Sequence, residues 1–501
     1  MTAAKPAISR PFGVVWGQVY GMQHPIVSHR AERFLPQARA LGAGLVRLFL
    51  YWNQLEPARG AYTWHALDAF VAQLEPGDEA WVTLNTVSRW ATRHPTDLLP
   101  NAPALDHHTY YQFVHAAVTR AAGRVRYWQM DFELVAPLFW GGTPDEYLAQ
   151  LRVFYRAVKD ADPNALVVPA GFLDGEYEAA DARPVEQQAR VDALHKILAE
   201  GHPYFDAVDL HLYNDPYRIP DVLGYVRRTM AALGYDRPIL VGEYNGPGFP
   251  SFPENRAAFG ALAGAMRSFG AAQLATDPDV RARETAAEDD AMRRLYARRD
   301  TWPAQTQMFM EGCPPALEAK RNRIQAREIV MRNLFALAAG ASKTCCYELA
   351  PSVAGKPFRV LNLMFGKYAL MAYGPAGLTA LRPAARAFQR MTHLLSGVSA
   401  VDALRAPESP DLVAFRVDRG PSHPVIVAWE RRDPFSGEDA PGVIYPLPGR
   451  YDQVTRSLDV HGRAVEAHLD RGTIVVPLTD DPVFLEVRPR RGAATAGDHD
   501  G

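Results

Sequence analysis

Four acidic residues stand at or near the ends of short apolar segments in this 501-residue chain. Asp131 and Glu133 lie in the aromatic-rich run RYWQMDFELVAPLFW, while Glu243 lies in PILVGEY and Glu348 in KTCCYEL. Charged side chains are rarely buried unless they are paired or functional. Two carboxylates that face each other can cleave a glycosidic bond, because one protonates the leaving oxygen and the other attacks the anomeric carbon.

Glu133 and Glu243 are the best candidates for such a pair. Neither has a basic residue within several positions in sequence, so no local partner neutralises them. A single acid at a strand end is more often an ion-paired wall residue than a catalytic group, and for either one alone that alternative is favoured. Two of them, each among aromatic residues, favour a catalytic pair.

The elements that would position these residues alternate between short apolar segments and longer amphipathic ones. The apolar segments are 12–17, 44–50, 80–85, 125–130, 165–171, 207–213, 238–244 and 343–349. Eight strands, each followed by a helix, predict a parallel (β/α)8 TIM barrel, in which chemistry takes place at the C-terminal strand ends. An open doubly wound sheet is the alternative, and it is weaker because no glycine-rich phosphate loop follows an early strand. In the barrel, the fourth and seventh strand ends face each other across the mouth.

Two regions depart from this repeat. Residues 246–320, after the seventh strand, form a connection far longer than a βα loop requires, and their Ala/Arg-rich composition predicts a helical insertion. Residues 396–490 contain short alternating segments that predict an antiparallel β-sandwich. The predicted domains are therefore a catalytic barrel over 1–395, a β-sandwich over 396–490 and a disordered tail over 491–501.

Composition narrows the classes of partner. The net charge of −2 argues against nucleic acid or an anionic membrane surface, and no apolar run reaches the length of a membrane span. Three cysteines with no C-x-x-C spacing predict neither a disulfide framework nor a zinc site, so no cofactor and no metal are expected. The N-terminus has no signal-peptide h-region, which predicts a cytoplasmic protein unless a leader has been removed.

Several motifs give a more specific resemblance. The stretch 44–71, GLVRLFLYWNQLEPARGAYTWHALDAFV, resembles the second-strand signature of the clan A glycoside hydrolases, which are (β/α)8 retaining enzymes. RYWQMDFELVAPLFW resembles the fourth-strand region of glycoside hydrolase family 39, and FDAVDLHLYND and RPILVGEYNG resemble its sixth and seventh strands. The last β run, ending in DPVFLEV, resembles the module that follows such barrels. The likeness spans roughly residues 12 to 490.

This resemblance implies roles for individual residues. It makes Glu133 the acid/base and Glu243 the nucleophile of a retaining glycosidase. Tyr213 matches a tyrosine that donates a hydrogen bond to the nucleophile, and Arg47 matches an arginine that keeps it ionised. His211 matches a nearby polar wall residue, although a satisfied core histidine is an equally weighted alternative.

The pattern departs from the clan at one position. The residue before the acid/base is usually an asparagine that binds the 2-hydroxyl of the sugar, and here it is Phe132. That contact strengthens in the transition state, and a phenyl ring cannot make it. Either the substrate differs at C2, Asp131 or Asn85 takes over the contact, or the protein is a weak or inactive enzyme.

The remaining candidates for substrate binding are aromatic residues near strand ends, whose faces can stack on sugar rings. They are Trp16, Trp52, Trp90, Trp140, Tyr244 and Tyr347, and Glu348 is expected beside them. Each one alone is more often a core residue than a platform for a ligand.

The leading functional prediction is a retaining, exo-acting glycosidase with a carbohydrate substrate. A catalytically silent carbohydrate-binding protein and a transglycosylase are the alternatives. The insertion is expected to act as a lid or wall that narrows the mouth, with a packing appendage or a homo-oligomer interface weighted almost equally. The identity, anomeric configuration and linkage of the sugar do not follow from the sequence.

Overall fold

The computed structural model describes residues 8–16, 34–96, 99–134, 138–174, 185–351, 359–374 and 377–489. Its first part is a curled, fully parallel sheet surrounded by helices, the (β/α)8 barrel predicted from the sequence. The barrel strands are β1 (Phe12–Val15), β2 (Leu45–Tyr51), β3 (Glu79–Asn85), β4 (Tyr127–Met130), β5 (Leu166–Val168 and Phe172–Leu173), β6 (Val208–Leu212), β7 (Ile239–Tyr244) and β8 (Lys343–Cys346).

The interrupted fifth strand links the two halves of the barrel. Its first segment pairs with β4 and its second with β6, while β1 pairs with both β2 and β8. The strands are buried on both faces, which explains why they read as nearly continuous apolar runs. Alternate residues therefore face either the barrel interior or the surrounding helices.

Thirteen α-helices are present among the described residues. They are α1 (Phe34–Ala40), α2 (Trp52–Leu55), α3 (His65–Val71), α4 (His107–Ala121), α5 (Pro144–Ala161), α6 (Val185–Gly201), α7 (Ile219–Ala232), α8 (Arg256–Leu274), α9 (Pro278–Ala297), α10 (Ala304–Gln307), α11 (Pro315–Ala338), α12 (Val360–Phe365) and α13 (Pro383–Leu394). A capping box begins α5, with Thr143 and Glu146 each bonded to the other's main-chain N–H. No helix in the described part of the chain combines the length and apolarity needed to cross a bilayer.

The predicted helical insertion after β7 consists of α8, α9 and α10, and it has a hydrophobic core of its own. That core includes Leu262, Phe269 and Met292, and it continues into Val360 and Leu361 at the start of α12, after β8. Leu138, from the segment after β4, packs against the same core. The insertion is therefore fixed by apolar contacts to the C-terminal side of the barrel.

The C-terminal part contains two antiparallel sheets. The five-stranded sheet comprises Ala400–Leu404, Leu412–Arg419, Ser422–Glu430, Val483–Pro489 and Tyr451–Asp459, in that spatial order; the three-stranded sheet comprises Val443–Pro446, Thr473–Leu478 and His468–Asp470. Apolar side chains from both sheets form one core, as in the predicted β-sandwich. A short hairpin, Met371–Gly374 and Gly377–Leu381, precedes them. The domain limits at 395 and 490 stay predictions, and the tail 491–501 lies outside the described residues.

Candidate active site

Glu243 lies at the C-terminal end of β7, where two donors hold its carboxylate. Arg47 Nη1 donates to Oε1 at 2.9 Å, and the hydroxyl of Tyr213 donates to Oε2 at 2.7 Å. Arg47 comes from β2, and Tyr213 immediately follows β6. The carboxylate of Glu243 therefore has one cationic and one neutral donor within hydrogen-bond distance. Arg47 and Tyr213 thus both contact Glu243, while the role of Glu243 as nucleophile stays a prediction.

Arg47 is itself held by groups in the barrel interior. Its Nη2 donates to Gln129 Oε1 at 2.7 Å, and its Nε donates to Thr83 Oγ1 at 3.2 Å. The guanidinium also lies over the rings of Phe49 and Trp81, 4.8 and 4.9 Å from their centroids. These contacts fix the fully buried side chain before any substrate arrives.

Glu133 follows β4 and faces the same space. Its Oε1 accepts a hydrogen bond from His211 Nδ1 at 2.7 Å, and its main chain forms an isolated parallel bridge with Gly171. Burial raises the pKa of Glu133 even though His211 and Arg47 oppose that shift. A carboxyl group that keeps its proton to higher pH is suited to act as a general acid.

His211 joins the two glutamates. Burial alone would lower its pKa, but the surrounding carboxylates of Glu243, Asp209 and Glu133 raise that pKa to about 10. Its Nδ1 faces Glu133 and lies 3.6 Å from Glu243 Oε2, while Nε2 lies 3.1 Å from Asp209 Oδ2. The imidazole is therefore a charged donor at neutral pH, a more specific role than the polar wall residue expected from the sequence.

Glu133, His211 and Glu243 approach one another closely. One side-chain oxygen or nitrogen of each lies within 4.8 Å of the others. Three such groups could also hold a metal ion, but His211 would first have to give up the proton that the surrounding carboxylates stabilise. Arg47 already supplies positive charge at 2.9 Å from Glu243. The donor set therefore favours a proton-transfer site over a metal site.

Aromatic residues form one wall of the site, and several were not foreseen. The ring of Tyr213 stacks on Tyr368 with centroids 6.0 Å apart, and Tyr347 and Phe365 contact Tyr213 edge-on. Tyr213 and Tyr347 were predicted from the sequence as site residues, whereas Tyr368 and Phe365 were not. Phe365 is the last residue of α12, and Tyr368 follows that helix. They contact Tyr213 only because this segment folds back toward it.

Several predicted platform residues lie elsewhere. Trp52 is fully buried against Phe113 in α4, and Tyr244 bonds through its hydroxyl to Asn333 in α11. Trp140 packs edge-on against Tyr147 in α5, and Trp90 donates to the main chain of Glu56. Their contacts are with the helix layer and not with the paired carboxylates. Trp16 likewise packs on Phe34 in α1.

Asn85 is one of the two residues proposed to bind the sugar in place of the missing asparagine. Asn85 ends β3 on the same face as Thr83, and its Nδ2 donates to the main chain of Leu50 at 3.2 Å. Its Oδ1 is buried and has no hydrogen-bond partner among the described residues. Glu348, also named from the sequence, is fully buried and follows Tyr347 through a cis peptide bond.

Asp131 faces away from the site, contrary to the suggestion that it binds sugar. It has φ +58°, and its Oδ1 accepts a hydrogen bond from the main chain of Thr86 at 2.7 Å. Burial and the charge of Asp131 raise the pKa values of Tyr110 in α4 and Tyr147 in α5, so Asp131 lies near these two helices. The left-handed backbone at Asp131 interrupts the strand alternation and turns the following residues toward the mouth.

We expect Asp131→Asn to stabilise the protein above pH 7. Burial raises the pKa of Asp131 to about 7, so the folded state favours its protonated form. Stability should fall as pH rises from about 4 to 7, by as much as about 4 kcal/mol, because ionisation is easier in the unfolded chain. Asparagine keeps the bond from Thr86 and never ionises. Urea unfolding of both proteins at pH 4.5 and 8 measures this, and an equal pH dependence would contradict it.

Structural comparisons place the whole architecture among known proteins. A family 39 glycoside hydrolase from Bacteroides cellulosilyticus WH2 matches with a TM-score of 0.63 and 15% identity, over 96% of this chain and 81% of that one. A monomeric beta-xylosidase from Caulobacter crescentus CB15 matches with a TM-score of 0.53 and 15% identity, over 97% and 98% of the two chains. AbfB, a family 51 alpha-L-arabinofuranosidase from Bifidobacterium longum, matches with a TM-score of 0.53 and 12% identity, over 96% of each chain.

The chain shares its fold with these glycoside hydrolases. At 12 to 15% identity these likenesses establish the shared barrel and the C-terminal β domain. No protein-family model matches the sequence, and a search of curated proteins finds no match. The activity must therefore be argued from the site.

Proposed function

We propose that the protein is a retaining, exo-acting glycoside hydrolase with Glu133 as acid/base and Glu243 as nucleophile. The observation that carries the proposal is the approach of the two carboxylates from opposite strand ends, with oxygens within 4.8 Å. Retaining glycosidases hold their carboxyl groups about 5–5.5 Å apart, while inverting enzymes leave about 6.5–9.5 Å for a water molecule. The 4.8 Å limit joins only one oxygen of each carboxyl group, and an approach this close leaves little room for a water molecule between those two oxygens, which supports direct attack by Glu243.

The hydrogen bonds around the pair support a division of labour. His211 donates a hydrogen bond to Oε1 of Glu133, so the carboxyl proton of Glu133 lies on Oε2. From Oε2 the proton can pass to the leaving oxygen. Glu243 then attacks the anomeric carbon, the glycosidic C–O bond breaks, and a covalent glycosyl-enzyme forms. In the second step Glu133, now a carboxylate, takes a proton from water, whose oxygen displaces Glu243.

The position of the insertion supports exo action. Its core joins segments that follow β4 and β8, through Leu138 and Val360. An insertion anchored beside the segments that follow β4 and β8 favours a pocket for a terminal sugar over an open cleft for a long chain.

A panel of nitrophenyl glycosides, covering both anomeric configurations of common hexoses and pentoses, tests the proposal. We expect turnover of at least one member, with loss of that turnover in Glu243→Ala. Saturable sugar binding without turnover of any member would favour the alternative of a silent carbohydrate-binding protein, which Phe132 motivates. Sugar transfer to an added acceptor in preference to water would favour a transglycosylase.

Phe132 should make the protein a poor enzyme on simple β-glucosides and β-xylosides. Its ring packs against Phe49 and Phe139, with centroids 5.8 and 4.8 Å away, and offers no hydrogen bond to a 2-hydroxyl. We therefore expect the wild type to discriminate little between such glycosides and their 2-deoxy analogues. Phe132→Asn should restore that discrimination and improve the 2-hydroxy substrates, while truncation of the buried ring costs about 3–5 kcal/mol of stability.

Steady-state kcat/KM values for matched 2-hydroxy and 2-deoxy substrates, measured below the variant's unfolding temperature, check this expectation. Phe49→Leu, which alters the same aromatic packing without adding a polar group, is the control. Efficient cleavage of β-xylosides by the wild type would contradict the argument and mean that another residue, such as Asn85, binds the 2-hydroxyl.

A further inference from the structure

Asp209 is a fully buried acid of β6, two residues before His211. Its Oδ1 accepts a hydrogen bond from the main-chain N–H of Gly242 at 2.7 Å, and its Oδ2 accepts one from Gln129 Nε2 at 2.8 Å. Oδ2 also lies 3.1 Å from His211 Nε2. A carboxylate with three buried partners is fixed in position before any substrate binds.

Gln129 connects Asp209 to the arginine that bonds to Glu243. Its Nε2 donates to Asp209, while its Oε1 accepts a hydrogen bond from Arg47 Nη2 at 2.7 Å. Nε2 also donates to the main-chain oxygen of Pro169 at 2.9 Å. Because an amide has one donor end and one acceptor end, these two acceptors turn its oxygen toward Arg47. Asp209 is therefore linked to Glu243 through Gln129 and Arg47.

His211 connects Asp209 to the other glutamate. Nδ1 of the ring donates to Glu133 at 2.7 Å, and Nε2 faces Asp209. A hydrogen bond at one ring nitrogen orients the ring and sets which proton the other nitrogen carries. Arg47 Nη1 lies 3.4 Å from Nε2 and competes with Asp209 for it, because Arg47 requires an unprotonated nitrogen there. The carboxylates of Asp209, Glu133 and Glu243 favour the protonated nitrogen.

Two glycines leave space for this arrangement. A Cβ at Gly242 would lie well inside the contact distance of Asp209 Oδ1, and a Cβ at Gly171 well inside that of His211 Nε2. Neither glycine has a positive φ, so close approach and not backbone conformation accounts for the missing side chain at both positions. The carboxylate and the imidazole thus occupy sites that the neighbouring strands keep open for them.

We propose that Asp209 is a positioning residue shared by the two glutamates of the candidate site. Through His211 it orients the donor that bonds to Glu133, and through Gln129 it orients the arginine that bonds to Glu243. This inference rests on the proposed function for the roles of the two glutamates. Loss of Asp209 should impair protonation of the leaving group and attack on the anomeric carbon together.

Nitrogen-15 NMR of histidine-labelled protein tests the contact with His211 in the absence of substrate. The His211 signals are identified by their disappearance in His211→Gln. At pH 8 we expect a charged ring in the wild type and a neutral ring in Asp209→Asn, because asparagine has a single acceptor oxygen, which the N–H of Gly242 occupies. A neutral ring in the wild type, or a charged ring in Asp209→Asn, would overturn the proposal.

Kinetics with two leaving groups test whether the role is shared. A nitrophenyl glycoside hardly needs an acid in the first step, whereas a methyl glycoside of the same sugar does. Asp209→Asn should lower kcat/KM about tenfold or more for both substrates, since a hydrogen bond to a charged group is lost. Gly171→Ala displaces the ring of His211 but leaves Gln129 in place, so its loss should fall mainly on the methyl glycoside.

Asp131→Asn is the matched control, because it makes the same change at another buried aspartate, which bonds to Thr86. It should leave His211 charged and kcat/KM unchanged for both substrates. A loss in Asp209→Asn that is confined to the methyl glycoside would overturn the shared role, since the link to Glu243 would then be dispensable.

Gly171→Ala also decides the outcome if Asp209→Asn does not fold. Its displaced ring should become neutral at pH 8, and an unchanged charged ring would overturn the contact between Asp209 and His211. Absence of turnover by the wild type with every glycoside would contradict the proposed function. The NMR result would still decide whether Asp209 holds His211.

Discussion

Glu243→Ala should lower the turnover rate of every glycoside by roughly 10⁵-fold or more, because no other group can form the covalent intermediate. Glu133→Ala should behave differently. Its loss removes proton donation, which is worth roughly 10²–10⁴-fold for a poor leaving group and little for an activated nitrophenolate in the first step. The bonds from Arg47 and Tyr213 to Glu243 do not involve Glu133, so the nucleophile should stay in place in this variant.

Azide separates the two roles. A small anion that needs no base can replace water in the second step, so azide should restore turnover of activated substrates in Glu133→Ala only. Glu79→Gln is the control, since Glu79 starts β3 at the opposite end of the barrel, where it pairs with Lys343 at 2.7 Å. Its turnover should match the wild type. Equal, unrescued losses in Glu133→Ala and Glu243→Ala would contradict the assignment.

Arg47→Met should cause the second largest loss. Arg47 lies 2.9 Å from Glu243 and 3.8 Å from Asp209, and all three side chains are almost fully buried. Removing one partner of a buried ion pair typically costs about 3–5 kcal/mol, because the remaining charge is left unpaired. We expect Arg47→Met to lower both the free energy of unfolding and kcat/KM. The fall in kcat/KM should exceed that of a control variant that loses the same free energy of unfolding.

Arg321→Met supplies that comparison. Arg321 is a buried arginine in α11 that pairs with Glu318, outside the candidate site. Its substitution should lower the free energy of unfolding but leave kcat/KM unchanged at temperatures where the variant is folded. The kcat/KM of Arg47→Lys should lie between those of the wild type and Arg47→Met. Lysine keeps the positive charge but lacks the planar guanidinium that bonds to both Glu243 and Gln129. Full activity in folded Arg47→Met would show that the arginine only supports the fold.

The barrel strands could be predicted because parallel strands are buried on both faces and read as short apolar runs. For the same reason, strand-end acids such as Glu133 and Glu243 stand out. The sandwich strands were predictable from their alternation, which appears in the sequence and in the burial of strands from both sheets, such as Leu412–Arg419 and Thr473–Leu478.

The aromatic residues that could stack on a sugar were harder to predict, because an aromatic residue near a strand end can face either the barrel mouth or the helices. Tyr244 follows Glu243 directly, so once Glu243 points inward, Tyr244 must point outward. That reasoning was available from the sequence. At Asp131 it fails, since the left-handed backbone there breaks the period of two. Tyr368 and Phe365 depend on how the chain returns after β8, for which no local pattern exists.

Proton NMR of the first-formed product tests the central claim most directly. The best nitrophenyl substrate is mixed with enzyme, and the anomeric proton of the released sugar is followed before mutarotation. Two displacements at one carbon, first by Glu243 and then by water, predict that the product initially has the same anomeric configuration as the substrate. An initial product of opposite configuration would mean a single displacement by water, and it would contradict the roles assigned to Glu133 and Glu243.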